Sequence, residues 1–113
     1  MPIVIVVHHP ADPNRLWANE WDDDVLLKSI TAPRRLALRL AAARERGERV
    51  LVHRCAYASM PAEICCSAQV AEVHDLDKAT SFVRFEDVRR EGRVPLHTPR
   101  AGENSYEAPS VSE

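Results

Sequence analysis

The stretch ERVLVHRCAYASMPAEICCSAQVAEVH, residues 48–74, decides the fold of this chain. Residues 49–55 are rich in apolar and β-branched side chains and predict a strand, which residues 56–62 end as a loop. Residues 63–74 predict a longer strand whose side chains alternate between two faces. The alternation shifts after Ala71, and a β-bulge near that residue accounts for the shift.

The residues before this stretch predict one strand and a helical region. An unbroken apolar run, residues 3–8, predicts a first strand covered on both faces. Beyond a turn, Trp17 and Trp21 are four residues apart and would share one face of a helix. The acidic run 22–24 is placed to cap a short helix over residues 25–30.

The clearest helix pattern starts near Thr31, which is a suitable N-cap residue. Pro33 falls in the first turn, where its missing N–H costs nothing. Leu36 and Leu40 lie on one apolar face. Gly47 follows the last turn and predicts the C-terminal stop.

The residues after 74 predict shorter elements and then a tail. A turn at 75–80 leads to a strand at 81–85. Residues 86–91 are charged and predict a short turn or helical piece, and residues 93–96 predict an edge strand. From Thr98 the chain has low hydrophobicity and no periodicity, which is typical of disorder.

The order of these elements predicts the fold class. Strands follow one another after a single helical insert, which argues against a doubly wound parallel sheet. We expect an α+β fold: a small mixed β-barrel or curled sheet of about five strands, with one or two helices inserted after the first strand. Residues 1–97 would form the domain, and residues 98–113 a disordered C-terminal tail.

The composition is that of one ordinary globular domain. The chain has 113 residues, of which 45% are hydrophobic. The first apolar run is too short for a membrane span or an export signal, so we expect a cytoplasmic protein without a membrane partner. Three cysteines with one vicinal pair do not make a disulfide framework.

The charge distribution is uneven along the chain. Four acidic residues lie between positions 20 and 24, whereas residues 25–100 hold 14 Lys and Arg against nine Asp and Glu. Of the 15 basic residues of the chain, 13 are Arg. Arginine suits bidentate contacts to phosphate and stacking on bases, although an Arg-rich composition alone does not establish either.

Three short phrases give the chain a resemblance to a known superfamily. They are Gly47-Glu48-Arg49-Val50 after the helix, Val70-Ala71-Glu72-Val73 in the long strand, and Phe82-Val83-Arg84-Phe85 in the next strand. Over about residues 3–96 the chain resembles PUA-like domains, in particular EVE and ASCH domains. The aromatic first-strand tripeptide common in EVE domains is missing, and residues 3–7 stand in its place.

The resemblance implies recognition of nucleic acid or a modified nucleotide, and we expect a non-catalytic module without a cofactor. Such a pocket needs an aromatic or Arg plane for stacking and polar groups for the base edge. The candidates for the ligand pocket are Trp17, Trp21, His53, Arg54, Tyr57 and Ser67. The candidates for contacts to the nucleic-acid backbone are Arg34, Arg35, Arg39, Arg84, Arg89 and Arg90.

Two other functions stay open. An ASCH-like amidohydrolase acting on a modified nucleoside would use Lys28, with Thr31 nearby and Glu63 or Glu72 as the carboxylate. A protein-interaction adaptor would use the acidic run and the tail, where Tyr106 could dock on a partner.

A metal site is not expected. His8, His9 and His53, with Asp12 or Cys55, are zinc-type ligands. Adjacent histidines on a strand point to opposite faces, however, so His8 and His9 would not share one ion unless the strand had ended.

Overall fold

Seven strands and one helix make up the described part of the computed structural model, which covers residues 2–13, 17–23 and 25–108. In chain order they are β1 (Ile3–Val7), β2 (Asn19–Trp21), β3 (Leu27–Pro33), α1 (Arg34–Glu45), β4 (Val50–Arg54), β5 (Glu63–Asp75), β6 (Thr80–Arg93) and β7 (Ser105–Glu107). The α+β prediction is confirmed. No helix in these ranges is long and apolar enough to cross a membrane.

The strands form one open mixed sheet in the order β2-β3-β6-β5-β4-β1-β7. The barrel alternative was wrong, because β2 and β7 occupy the two edges and do not pair with each other. The sheet is nevertheless curled: the Asn19 side chain of β2 donates a hydrogen bond of 2.7 Å to the carbonyl of His8, just beyond β1. In the sheet order, four strands lie between β2 and β1.

The helix α1 packs its apolar face on the concave side of the sheet, against β3, β5 and β6. Its end was predicted correctly: Gly47 has φ of 67°, and the amides of Gly47 and Glu48 donate to the carbonyls of Arg44 and Ala43, as in a Schellman motif. The predicted N-cap was wrong. Thr31 lies in β3, paired with Phe82, because the strand continues directly into the helix at Pro33.

The short helix expected over residues 25–30 is absent, because Leu27 begins β3. Asp23 does bind backbone amides as expected, but within a turn: its Oδ1 accepts from Val25 N at 2.7 Å and Leu26 N at 2.9 Å. These bonds hold the pKa of Asp23 below its usual range. The two tryptophans do not share a helix face, since Trp21 lies in β2. The cap residue Asp24 lies outside the described residues.

The long hairpin β5–β6 corrects the prediction for the charged residues 86–91, which continue β6 up to Arg93. The ladder with β5 supplies their backbone hydrogen bonds, so charged side chains do not end the strand. The bulge near Ala71 is confirmed by a register shift between Val70 and Glu72. The edge strand expected over residues 93–96 does not form, since β6 ends at Arg93.

The predicted disordered tail was wrong for residues 105–107, which form β7 and pair antiparallel with β1. All five residues of β1 are buried, as the apolar run predicted. Ile3, Ile5 and Val7 belong to the main core, whereas Val4 and Val6 face the outer side of the sheet. Residues 94–108, which we call the returning segment, cover that outer side. Their packing on β1 explains why the returning segment is ordered. Residues 109–113 lie outside the described residues.

Candidate functional site

The only parallel pair in the described sheet is β1 with β4, in which Val7 is in register with Arg54. The carboxyl ends of parallel strands meet at one edge of a sheet, and ligand sites commonly lie there. Here that edge carries His8 and His9 after β1, and Cys55 after β4. The helix α1 lies toward the other end of β1, where Arg39 lines a recess with Ile3.

The concave side of this edge carries both tryptophans of the chain, and we call it the inner mouth. It consists of His9, Trp17, Asn19, Trp21 and Arg54. The Trp21 indole donates from Nε1 to Asn19 Oδ1 at 2.6 Å, and its ring lies 5.3 Å from the ring of His9, centroid to centroid. Asn19 Nδ2 donates in turn to the carbonyls of His8 and Trp17. The inner mouth is therefore fixed by hydrogen bonds between two ends of the curled sheet.

Trp17 is partly buried against the edge of the core. Its indole Nε1 is buried and finds no hydrogen-bond partner in the described part of the chain. A buried indole N–H normally has an acceptor, so this donor is one that an added group would satisfy.

Arg54 brings a buried positive charge to the inner mouth. It is 5% exposed, and its Nη2 forms an ion pair with Glu63 Oε1, the residue opposite it at the start of β5. A guanidinium in a low-dielectric setting needs such a partner, because desolvation of an isolated charge is costly.

The convex side of the same edge carries a different set of groups. His8 Nδ1 lies 2.9 Å from Asp12 Oδ2, and Asp12 is 2% exposed. An ionised carboxylate only accepts, so Nδ1–H donates and Nε2 keeps its lone pair. His8 and Cys55 both line a cavity of about 310 Å³ under the turn of residues 99–103. Burial raises the pKa of the Cys55 thiol, and the carboxylate of Asp12 raises it further.

A second polar cluster lies further along the convex side and joins β4 to the returning segment. His53 Nδ1 lies 3.0 Å from the Tyr106 hydroxyl, and the rings of Tyr106 and His97 are 4.3 Å apart. His97 Nε2 also lies 2.8 Å from Glu103 Oε1. Burial lowers the pKa of His53, and the nearby His97 lowers it further. Burial also raises the pKa of Tyr106.

The predicted ligand residues divide between these places. Trp17 and Trp21 are linked at the inner mouth through Asn19, and Arg54 lies at the end of β4 beside the end of β1. Tyr57 lies in the adjoining loop, where its backbone bridges to Met60. His53 and Ser67 are not part of it. His53 faces Tyr106 on the convex side, and Ser67 accepts hydrogen bonds from Arg49 in the middle of β5.

The predicted backbone-contacting arginines are spread over α1 and both halves of β6, and four of the six pair with carboxylates. The pairs are Arg34 with Asp75, Arg84 with Glu72, Arg89 with Asp87, and Arg90 with Asp23. Arg39 donates to the Ser105 hydroxyl, and Arg35 is exposed on α1. The structure does not gather them into one unpaired basic surface.

The residues considered for an amidohydrolase are also separated. Lys28 is half exposed, and its Nζ lies 3.7 Å from Oε1 of Glu20. Thr31 is part of β3. Glu63 and Glu72 pair with Arg54 and Arg84, respectively. Among residues 2–13, 17–23 and 25–108, no three His, Cys, Asp or Glu side chains are grouped so that they could hold a metal ion.

Sequence reasoning missed Asn19, which organises the inner mouth, and the ligand prediction left out His9. The position of His9 after the first strand was visible in the sequence. Asn19 gave no signal, because its acceptor at His8 is brought close only by the curl of the sheet. Comparison with family models, with curated proteins and with solved structures gave no match for this chain.

Proposed function

We propose that this chain is a binding module for the base of a modified nucleotide or nucleic acid, and that the inner mouth is the binding site. The observation that carries the proposal is the hydrogen-bonded cluster of Trp21, Asn19 and His9, which includes the Trp17 carbonyl and lies at the carboxyl end of the parallel pair. The PUA-like resemblance of the sequence agrees with this function.

The groups of the inner mouth match the chemistry of a nucleobase. Proteins that read unstacked bases combine aromatic or guanidinium planes with hydrogen bonds to the base edge. Trp21 supplies a plane that Asn19 and His9 already hold in place, which lowers the entropy cost of binding. Trp17 Nε1 supplies a donor for an acceptor on the base edge.

The charges around the inner mouth favour a single nucleotide or a short flexible strand over a long duplex. Glu20 and Asp22 lie beside Trp21 in the sequence, and like charges repel phosphate groups. Arg90 is already paired with Asp23, the next carboxylate in the sequence. We therefore expect most of the binding free energy to come from base contacts, with a shallow dependence on salt concentration.

Intrinsic fluorescence tests the proposal directly, because the two tryptophans of the chain both belong to the inner mouth. Nucleosides, nucleotides and short DNA and RNA strands, with and without modified bases, are titrated at several salt concentrations. We expect saturable quenching by one class of base, and loss of that response in the variant Trp21→Leu. Arg84→Gln, which lies on β6 and pairs with Glu72, is the control and should keep it.

Absence of quenching by every base at low salt would contradict the proposal. Quenching that disappears steeply with salt and equally for all bases would contradict base reading as well. It would indicate phosphate contacts by the arginines instead.

A further inference from the structure

The convex side of the strand ends carries three groups that base binding does not use: Cys55, His8 and Asp12. Val7 and Arg54 are the last register pair of β1 and β4, and Cys55 N continues the ladder by donating to Val7 O at 2.9 Å. His8 and Cys55 therefore follow on neighbouring strands, which lie about 4.8 Å apart. Both residues line the same cavity.

Asp12 prepares the imidazole for proton transfer. It reaches His8 through a tight turn in which Asp12 N donates to His9 O at 2.8 Å. Its buried carboxylate accepts from Nδ1 of His8 and leaves Nε2 as the basic nitrogen. The parts of a nucleophilic triad are a nucleophile, a base, and a third group that orients the base. Here the nucleophile and the base follow the ends of neighbouring strands.

The thiol needs such a base. Burial and the nearby carboxylate of Asp12 raise the pKa of Cys55, so the resting group is the thiol and not the thiolate. The two other cysteines, Cys65 and Cys66, are buried within the core and away from this cavity. Cys55 is thus the one cysteine of the chain that combines partial exposure with an oriented imidazole.

We propose that Cys55, His8 and Asp12 form a catalytic triad that hydrolyses small esters or thioesters bound in the cavity under residues 99–103. His8 Nε2 takes the proton from Cys55 Sγ, and the sulfur forms a bond to the acyl carbon. The bond to the leaving oxygen or sulfur then breaks, and the leaving group takes the proton from His8. Water, the second reactant, loses a proton to His8 and attacks the thioester, which releases the carboxylic acid and restores the thiol.

The cavity limits the substrate to a small acyl group. Its volume of about 310 Å³ is at the lower end of ligand pockets. Val6, Pro99 and Ala101 give it apolar walls for an aliphatic chain. Arg100 lines it as well and supplies positive charge for the developing oxyanion or for an anionic substituent of the substrate.

Acylation by p-nitrophenyl acetate tests the proposal on the whole chain. We expect a burst of p-nitrophenolate and an acetyl group on Cys55, identified by mass spectrometry of the digested protein. The buried Cys65 and Cys66 are internal controls and should remain unmodified. His8→Gln should slow acylation by a factor on the order of 10² or more, because the base is lost. Asp12→Asn should slow it less, because it removes only the orienting group.

The pH dependence of the wild-type reaction gives a readout that needs no variant. The rate should not follow thiol ionisation, which for ordinary thiols occurs at about pH 8.5, because His8 takes the proton from the thiol during the reaction. The charged groups around His8 in this cavity are Asp12, Arg100 and Glu103, and Cys55 is the other titratable group. A rate that continues to rise with thiol ionisation would overturn the proposal.

Two further outcomes would overturn it: an acetyl group found only on lysines, or an unchanged acylation rate in His8→Gln. The result is separable from base binding. Cys55→Ala should abolish acylation and leave the tryptophan response to bases intact, whereas Trp21→Leu should do the reverse.

Discussion

The Nδ1 atom of His53 lies 3.0 Å from the hydroxyl oxygen of Tyr106, although His53 belongs to β4 and Tyr106 to the last strand of the sheet. His53 is 1% exposed, so water has little access to its imidazole. The contact therefore joins the end of the chain to the middle of the sheet, across the outer face of β1.

Removal of the Tyr106 hydroxyl should destabilise the fold. Tyr106→Phe keeps the ring but leaves a buried imidazole nitrogen without its partner, which costs about 1–3 kcal/mol. Urea unfolding followed by circular dichroism measures the change. Tyr57→Phe, at the other tyrosine of the chain, is the matched control and should change the free energy of unfolding by less than about 0.5 kcal/mol.

Stability should fall as the pH is lowered through the range in which His53 titrates in the unfolded chain. The pKa of His53 is lowered in the folded state, so the unfolded chain binds more protons below about pH 6.5. The loss begins near that pH and is complete once the pH reaches the folded-state pKa. Urea midpoints between pH 5 and 8 measure it, and His53→Gln should flatten the slope in this window. An equal slope in both proteins would assign the effect to other groups.

Removal of one partner of the Arg54–Glu63 ion pair should destabilise the fold more than replacement of both partners by apolar residues. Glu63→Ala leaves the 5% exposed guanidinium without this carboxylate and should cost about 2–4 kcal/mol. The double variant Arg54→Met, Glu63→Leu should recover most of the loss, since it buries apolar groups of similar volume. Thermal and urea unfolding of the three proteins decide this. A double variant as unstable as Glu63→Ala would show that Arg54 supports the fold through other contacts.

Asn19 should control the environment of the tryptophans. Asn19→Leu removes the hydrogen bonds to Trp21 Nε1 and to the His8 carbonyl, so the β2 edge should separate from the end of β1. We expect a red shift of the tryptophan emission maximum and a loss of base affinity of about tenfold, or about 1.4 kcal/mol. Glu20→Gln, the exposed neighbour on the same strand, should leave the emission maximum unchanged.

Truncated chains test whether the residues after 97 are part of the fold or a disordered tail, as the sequence predicted. A chain that ends at residue 97 lacks β7 and the Tyr106 contact, and it exposes Val4 and Val6. We expect it to aggregate or to unfold at much lower urea concentrations. A chain that ends at residue 108 keeps every contact described above and should unfold like the full chain. Equal stability of the two truncated chains would contradict the pairing of β7 with β1.

Local pattern was sufficient for the elements that depend on their own residues. The apolar face and Gly47 predicted α1, and the alternation over residues 63–74 predicted β5 with its bulge. Elements that depend on a distant partner were missed. β7 is too short and too polar to be recognised alone, and it becomes a strand only because β1 offers a free edge.

The candidate sites show the same division. The resemblance pointed to Trp17 and Trp21 as aromatic planes for stacking, but their spacing, which would suit one face of a helix, did not reveal that Trp21 lies in a strand. The neighbourhood of His8 and Cys55 depends on the parallel register of two strands far apart in the chain, which no local signal encodes. His53 was taken for a pocket residue, because alternation alone does not tell which face of β4 a later segment will cover.

The position of β1 between β4 and β7 imposes an order on folding. β1 precedes both of its ladder partners, β4 and β7, and neither of them is its neighbour along the chain. Such non-local pairing makes folding slow, because long loops must close before the contacts form. During synthesis the apolar residues 3–7 stay without their ladder partner until β4 has been made, so this segment exposes apolar surface for longer than strands that pair with their neighbours along the chain.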